Sequence, residues 1–213
     1  MKKTRIVSTG CGLLAAFLLW TAAVSLVDVQ AIGPKGSEVG FAGLNGWFHA
    51  LTGVHMTLYT ITDWMGLIPL AVAMGFGLLG LVQWIKRKRL RKVDGSILLL
   101  GGFYLAVLAV FLLFEAFVVN YRPVLIEGVL EASYPSSTTL LTLCVMPAAM
   151  LQWKERIKDK RVRTWILGVS AGFTLFMVGG RLVSGVHWLT DIVGGVLLSA
   201  GLVLLYAAPW EGK

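Results

Sequence analysis

Charge is scarce in this sequence. Only 14% of the 213 residues are Asp, Glu, Lys or Arg, and 57% are apolar, whereas an ordinary soluble domain carries about a quarter charged residues. That balance argues against a water-facing globular surface. Cysteine is scarcer still: Cys11 and Cys144 are the only two, each inside an apolar stretch, which argues against a disulfide framework and leaves packing as their reading. Acidic residues number 11 against 19 Lys and Arg, for a net charge of +8. Spread over a soluble surface, such an excess would suggest nucleic acid. Here the cations cluster between apolar runs, so a membrane surface is the expected partner and nucleic acid is not. No internal repeat or low-complexity segment stands out, and the length fits one domain.

What the sequence has in quantity is long apolar runs. A bilayer core needs roughly 20 apolar residues per spanning helix. Runs of that kind lie at Ile6–Val27, Asp63–Ile85, Ser96–Val119, Thr138–Trp153, Thr164–Gly180 and His187–Ala208. The expected fold is therefore all-α: a polytopic membrane protein with a six-transmembrane-helix bundle. A single membrane domain of residues 1–213 is expected, with an N-terminal helix at 6–27, an outer segment at 28–62 and a core at about 63–208. The basic start Met1-Lys2-Lys3-Thr4-Arg5 and the stretch Val29-Gln30-Ala31 have features of a signal peptide. The apolar run between them exceeds the ~7–15 residues of a signal core, so an uncleaved helix is expected. Trp47 and Phe48 beside His49 suggest an interfacial helix on the outer leaflet.

The cations give the orientation. Lys2, Lys3 and Arg5 precede the first run, Lys86–Lys92 follows the second, Lys154–Arg163 follows the fourth and Lys213 ends the chain. Six crossings starting in the cytoplasm put all of these on the cytoplasmic side, as the positive-inside rule requires, and leave both termini there. A multi-pass protein of the cell (plasma or inner) membrane is expected. Three cations remain for the outer side: Lys35, Arg122 and Arg181. Lys35 lies in a Gly- and Pro-containing loop and reads as solvated. The two arginines each sit at the outer end of a helix, where charge is costly and tends to mark a site.

The same topology gathers Tyr121-Arg122-Pro123, Tyr134-Pro135-Ser136-Ser137-Thr138-Thr139, Gly180-Arg181, and His187 with Asp191 on one side of the membrane. Each has a part in holding phosphate. Two arginines offer planar forks of donors matched to phosphate oxygens. Pro135 followed by hydroxyl residues reads as a helix start, whose free N–H groups and positive dipole make an anion site. His187 and Asp191, four residues apart, are expected on one helical face. A carboxylate near an imidazole fixes its tautomer and leaves the other nitrogen as base or nucleophile. Together these groups describe a phosphoryl-transfer site with a covalent phosphohistidine as a natural intermediate.

Arg181-x5-His187-x3-Asp191 resembles the third motif, S-R-x5-H-x3-D, of the type 2 phosphatidic acid phosphatase and haloperoxidase superfamily. Arg122-Pro123 resembles the end of its first motif, K-x6-R-P, and Pro135-Ser136-Ser137-Thr138 resembles its second, P-S-G-H. The resemblance implies an all-helical core and removal of phosphate from lipid phosphates or diphosphates, with neither metal nor cofactor. It implies His187 as nucleophile and Asp191 as its partner, with Arg122, Arg181, Ser136, Ser137 and Thr138 around the phosphate. The expected partners are a lipid phosphate or diphosphate substrate and membrane lipids.

Four positions depart from the pattern. Glu115 stands at the first-motif lysine, Ser137 at the second-motif glycine, Thr138 at the second-motif histidine, and Gly180 at the serine before the last arginine. The resemblance makes that missing histidine the acid for the leaving oxygen. Threonine is no acid near neutral pH, and general acid help is typically worth ~10²–10⁴ in rate. A diphosphate lipid, such as an isoprenoid diphosphate (undecaprenyl diphosphate is one), expels a phosphate monoester that needs little protonation. His49 or His55 is an alternative acid, and Glu115 is expected to pair with Arg122. The competing reading is a catalytically impaired protein of the same fold that binds phospholipid heads. A transporter is disfavoured because no run carries a periodic polar stripe.

Overall fold

The computed structural model describes residues 3–210; the basic residue Lys2 and the terminal Lys213 lie outside the described residues. Eight α-helices follow one another among them: α1 (Lys3–Leu26), α2 (Ala42–Thr52), α3 (Met56–Met65), α4 (Leu67–Arg87), α5 (Gly95–Ala116), α6 (Ser137–Arg156), α7 (Lys160–Val183) and α8 (Leu189–Ala207). Five segments are long and apolar enough to cross a membrane: α1, the α3–α4 pair as one 32-residue stretch, α5, α7, and α8 with the short turn after it.

The expected run Thr138–Trp153 corresponds to α6, which has 20 residues but is less apolar than those five. Its position explains this. It packs against α4, α5, α7 and α8. Thr139, Thr142 and Gln152 are therefore buried against protein rather than lipid. Gln152, for example, donates to Tyr206 Oη at 2.9 Å and to the Ser96 carbonyl at 3.0 Å. A helix surrounded by helices has no need of an apolar exterior.

The second run begins earlier than expected. Helix extends back to Met56, and Asp63, placed by the sequence at a helix start, lies near the end of α3. Pro69 stands in the first turn of α4, where its missing N–H goes unused. The chain therefore re-initiates around Gly66, whose amide bonds back to Thr62 and Asp63 carbonyls at 3.1 and 2.9 Å.

α1 runs antiparallel along α8. Gly10 meets the Gly201 backbone and Leu205 at one end, and Trp20 Nε1 donates to the Thr190 carbonyl at 3.1 Å at the other. Small residues permit that close approach. Near Trp20, the Thr21 hydroxyl bonds Tyr134 Oη at 2.7 Å. At the far end, Asp94 accepts from Arg87 at 2.9 Å and Arg156 at 3.3 Å, stitching the α4–α5 turn to α6. The cation-rich turns thus share one end of the molecule. The segments 27–55, 117–136 and 184–188 gather at the opposite end. There α2 buries Ala42 and Asn45 and exposes Leu44, Trp47 and Leu51.

Candidate functional site: a buried histidine beside two arginines

Arg122 lies in the segment between α5 and α6, which folds back on itself. Tyr121 and Ala132 form an antiparallel bridge, and the Arg122 amide donates to the Glu131 carbonyl at 3.0 Å. This register sets the Glu131 carboxylate 3.1 Å from Arg122 Nε, close enough for an ion pair though not aimed as a hydrogen bond. The expected partner Glu115 is not used. It belongs to the last turn of α5 and is exposed, whereas the reversal of the chain brings Glu131 alongside Arg122.

Arg181 sits in the last turn of α7 and is 1% exposed. Its Nη2 donates to Asp63 Oδ1 at 2.8 Å and also to the Thr138 hydroxyl. Both guanidinium groups lie over the ring of Tyr59, Arg181 at 4.8 Å and Arg122 at 5.7 Å from its centroid. The ring's negative face offsets part of the repulsion between two neighbouring cations. Tyr59 and Asp63 are one helical turn apart on α3, so a single face of that helix serves both contacts.

α6 starts at Ser137 with Ser136 as its N-cap residue, close to the expected helix start. The hydroxyl of Ser136 makes no capping bond; it is buried and unpartnered. The first amides of α6 have no carbonyl of their own helix to bond. Thr138, which replaces the family pattern's histidine, is occupied with Arg181.

His187 does not share a helix with Asp191. Gly185 adopts a left-handed φ of +69° and packs on Gly53, where a side chain would collide with the Gly53 carbonyl. The His55 amide bonds the Ser184 carbonyl at 2.9 Å in the same contact. α8 begins only after this turn, with Asp191 accepting from the Trp188 amide at 3.0 Å. His187 therefore precedes the helix, and Ser133 stands between the two side chains. Its Oγ lies 2.9 Å from His187 Nδ1 and donates to Asp191 Oδ2 at 2.5 Å. Asn120 Nδ2 fills the other carboxylate oxygen at 3.0 Å. His187 Nε2 is buried and has no partner. Burial holds the imidazole well below its usual pKa, and the charges of Arg122 and Arg181 push in the same direction. The ring is neutral near pH 7.

The structure brings Arg122, Arg181, Ser136, Thr138 and His187 to the same end of the molecule. Ser133, Asn120, Tyr59 and Asp63 join them without any sequence signal that singles them out. His49 and His55 take other roles. His49 packs on Trp188 at 5.4 Å between ring centroids, and His55 is exposed with Nε2 on the Thr52 carbonyl at 2.9 Å. Among the described residues no three His, Cys, Asp or Glu side chains form a metal cluster.

Several buried donors of the site are left without partners. At this site they are Arg122 Nε and Nη1, Arg181 Nε and Nη1, and Ser136 Oγ, and His187 Nε2 is free as well. Buried polar groups are normally satisfied, and donors of this kind match a ligand with many acceptor oxygens.

Among curated proteins none matches this sequence significantly. Among solved structures, the chain is similar to a transmembrane PAP2-type phosphatidylglycerolphosphate phosphatase from Bacillus subtilis, at 17% identity and a TM-score of 0.52 over 94% of each chain. That likeness concerns the fold. The sequence profile of the PAP2 superfamily matches residues 49–211, a span that holds both arginines, the helix-six start and the His187–Asp191 pair, and the chain belongs to this superfamily.

Proposed function

We propose that this protein is a membrane lipid phosphatase that removes a terminal phosphate at the outer membrane face. The observation that carries the reading is the set of unpartnered buried donors on Arg122, Arg181 and Ser136, together with an unpartnered His187 Nε2 on a ring that feels the charge of both arginines. A phosphoryl group placed among them meets donors on several sides, and the free nitrogen faces the phosphorus. His187 Nε2 attacks: an N–P bond forms, the P–O bond to the lipid breaks, and the leaving oxygen takes the electron pair. Water then attacks the phosphohistidine, its oxygen bonds phosphorus, the N–P bond returns its electrons to His187, and dihydrogen phosphate leaves carrying both of the water's protons. The first-turn amides of Ser137 and Thr138 add positive potential. α6 serves as the sixth crossing, so the cation-rich turns face the cytoplasm and the site faces outward.

An apolar groove supports a lipid substrate. It has a volume of 490 Å³, lies between α4, α5 and α6, is lined by residues such as Leu67, Leu70, Leu108 and Leu141, and ends at Asp63, Ser137 and Thr138. Two of these end residues bond Arg181. A chain in the groove therefore presents its head to the phosphate site. With Thr138 in place of an acid, an isoprenoid diphosphate is the favoured class. Thr138 also favours a second reading, a phospholipid-head binder that no longer turns over. The test is inorganic phosphate release from lipid mono- and diphosphates by detergent-purified wild type and His187→Ala, with binding measured separately. Release by wild type that is lost in His187→Ala supports the phosphatase. Binding without release by wild type supports the binder.

A further inference from the structure

We propose that Ser133 is the positioning residue that couples Asp191 to His187, so that this protein's carboxylate and imidazole communicate through a serine hydroxyl. The proposal rests on His187 being the nucleophile. Its geometric basis is a three-member chain, His187 Nδ1 to Ser133 Oγ at 2.9 Å and Ser133 Oγ to Asp191 Oδ2 at 2.5 Å.

The direction of the protons follows from the inventory of groups. Asp191 is 0% exposed and takes three donors: Asn120 Nδ2, the Trp188 amide and Ser133 Oγ. A carboxylate surrounded only by donors acts as acceptor. Ser133 has one hydroxyl proton, and Asp191 receives it. The lone pair of Ser133 then faces Nδ1, which must carry the ring proton of neutral His187 to complete the bond. That fixes the tautomer with Nε2 unprotonated, and Nε2 is the ring nitrogen left without a partner. Reversing the tautomer would protonate Nε2 and set two lone pairs against each other at Ser133.

Ser133 is held where this requires it. It is 2% exposed, and its amide donates to the Asn120 carbonyl at 2.9 Å. The adjacent Tyr134 ring stacks on Phe17 at 6.2 Å, bonds Thr21 through its hydroxyl, and packs on Gly194, where any side chain would collide. The same Asn120 thus fixes both ends of the link, through its carbonyl to Ser133 and its side chain to Asp191. As phosphohistidine forms, the ring becomes cationic and Nδ1–H becomes a stronger donor. Ser133 passes that demand to Asp191 without changing partners.

The experiment compares wild type, Ser133→Ala, Ser133→Thr, Asp191→Asn and the double variant Ser133→Ala/Asp191→Asn, with His187→Ala as reference. Steady-state hydrolysis of a lipid diphosphate gives kcat and KM, and ¹⁵N NMR of histidine-labelled protein reports the His187 tautomer. Ser133→Ala is expected to lower kcat at least about tenfold with little change in KM, because only the tautomer and its stabilisation are lost. Its spectrum should change from one tautomer to a mixture. Ser133→Thr keeps the hydroxyl and should restore the single tautomer. Asp191→Asn should lower kcat in wild type and add little in Ser133→Ala, since its route to His187 is already cut. An unchanged kcat and tautomer in Ser133→Ala, with His187→Ala inactive, would overturn the coupling while sparing the nucleophile. Full activity in His187→Ala would overturn both.

Discussion

Gly180 takes the place of a serine in the family pattern, and restoring that serine should damage the site. A Cβ at Gly180 would lie 2.7 Å from Thr62 Cγ2 and 3.6 Å from Leu58 Cδ1, both on α3. Carbon atoms settle at about 3.5–4.0 Å, so α3 must withdraw by about 1 Å. Tyr59 and Asp63 would move with it, and these are the groups that hold Arg181. Overpacking of this kind typically costs about 1–3 kcal/mol. A displacement near 1 Å at a reacting group can lower rate by about 10². Gly180→Ser should therefore lower both the unfolding temperature in detergent and kcat/KM for phosphate release. Thr62→Ser removes the offending methyl while keeping the hydroxyl that bonds the Leu58 carbonyl at 2.9 Å. The double variant Gly180→Ser/Thr62→Ser should recover most of both losses. Wild-type stability and kcat/KM in Gly180→Ser alone would refute the reasoning, and so would a double variant no better than the single.

Thr138→His returns an acid to the second motif. It should raise phosphate release from lipid monophosphates by up to ~10²-fold and change diphosphate hydrolysis far less; equal acceleration of both would contradict the leaving-group argument. The pH dependence has a defined sign. His187 attacks as the neutral ring, and its pKa lies well below the ordinary 6.5, so the acid limb of kcat/KM should fall below pH 6.5. A limb centred at or above that value, measured on the free-enzyme parameter kcat/KM, would contradict a buried nucleophile beside two arginines. His55→Gln should leave kcat/KM unchanged, because His55 is exposed and turned to the Thr52 carbonyl; a large loss would restore it as the acid. Asp63→Asn weakens the ion pair with the buried Arg181 and should raise KM more than it lowers kcat.

Local features were the legible ones. Apolar runs and the cations between them are read residue by residue, so five spans and the two basic turns follow from composition alone. The run Thr138–Trp153 marks α6 as well, but it is the least apolar because its partners are helices and its polar residues are buried among them. Arg181, His187 and Asp191 stand out in the sequence because their spacing is short and their chemistry convergent. The four-residue spacing of His187 and Asp191 suggests a direct link only if regular helix extends through His187. Gly185 and the Asp191 cap delay α8 and open the gap that Ser133 fills. Ser133 lies 54 residues from His187 and Tyr59 contacts Arg181 across more than 100, so no local spacing could have joined them. Glu131 replaced Glu115 as the partner of Arg122 for a related reason: the pairing depends on a backbone reversal that the sequence does not advertise.

The most direct test of the central claim follows the configuration at phosphorus. A lipid substrate carrying a terminal phosphorothioate made chiral with oxygen isotopes would be hydrolysed in isotopically labelled water. Attack by His187 Nε2 followed by attack by water inverts the centre twice, so the account predicts net retention in the released thiophosphate. Net inversion would mean that water attacks directly, and it would contradict a covalent phosphohistidine.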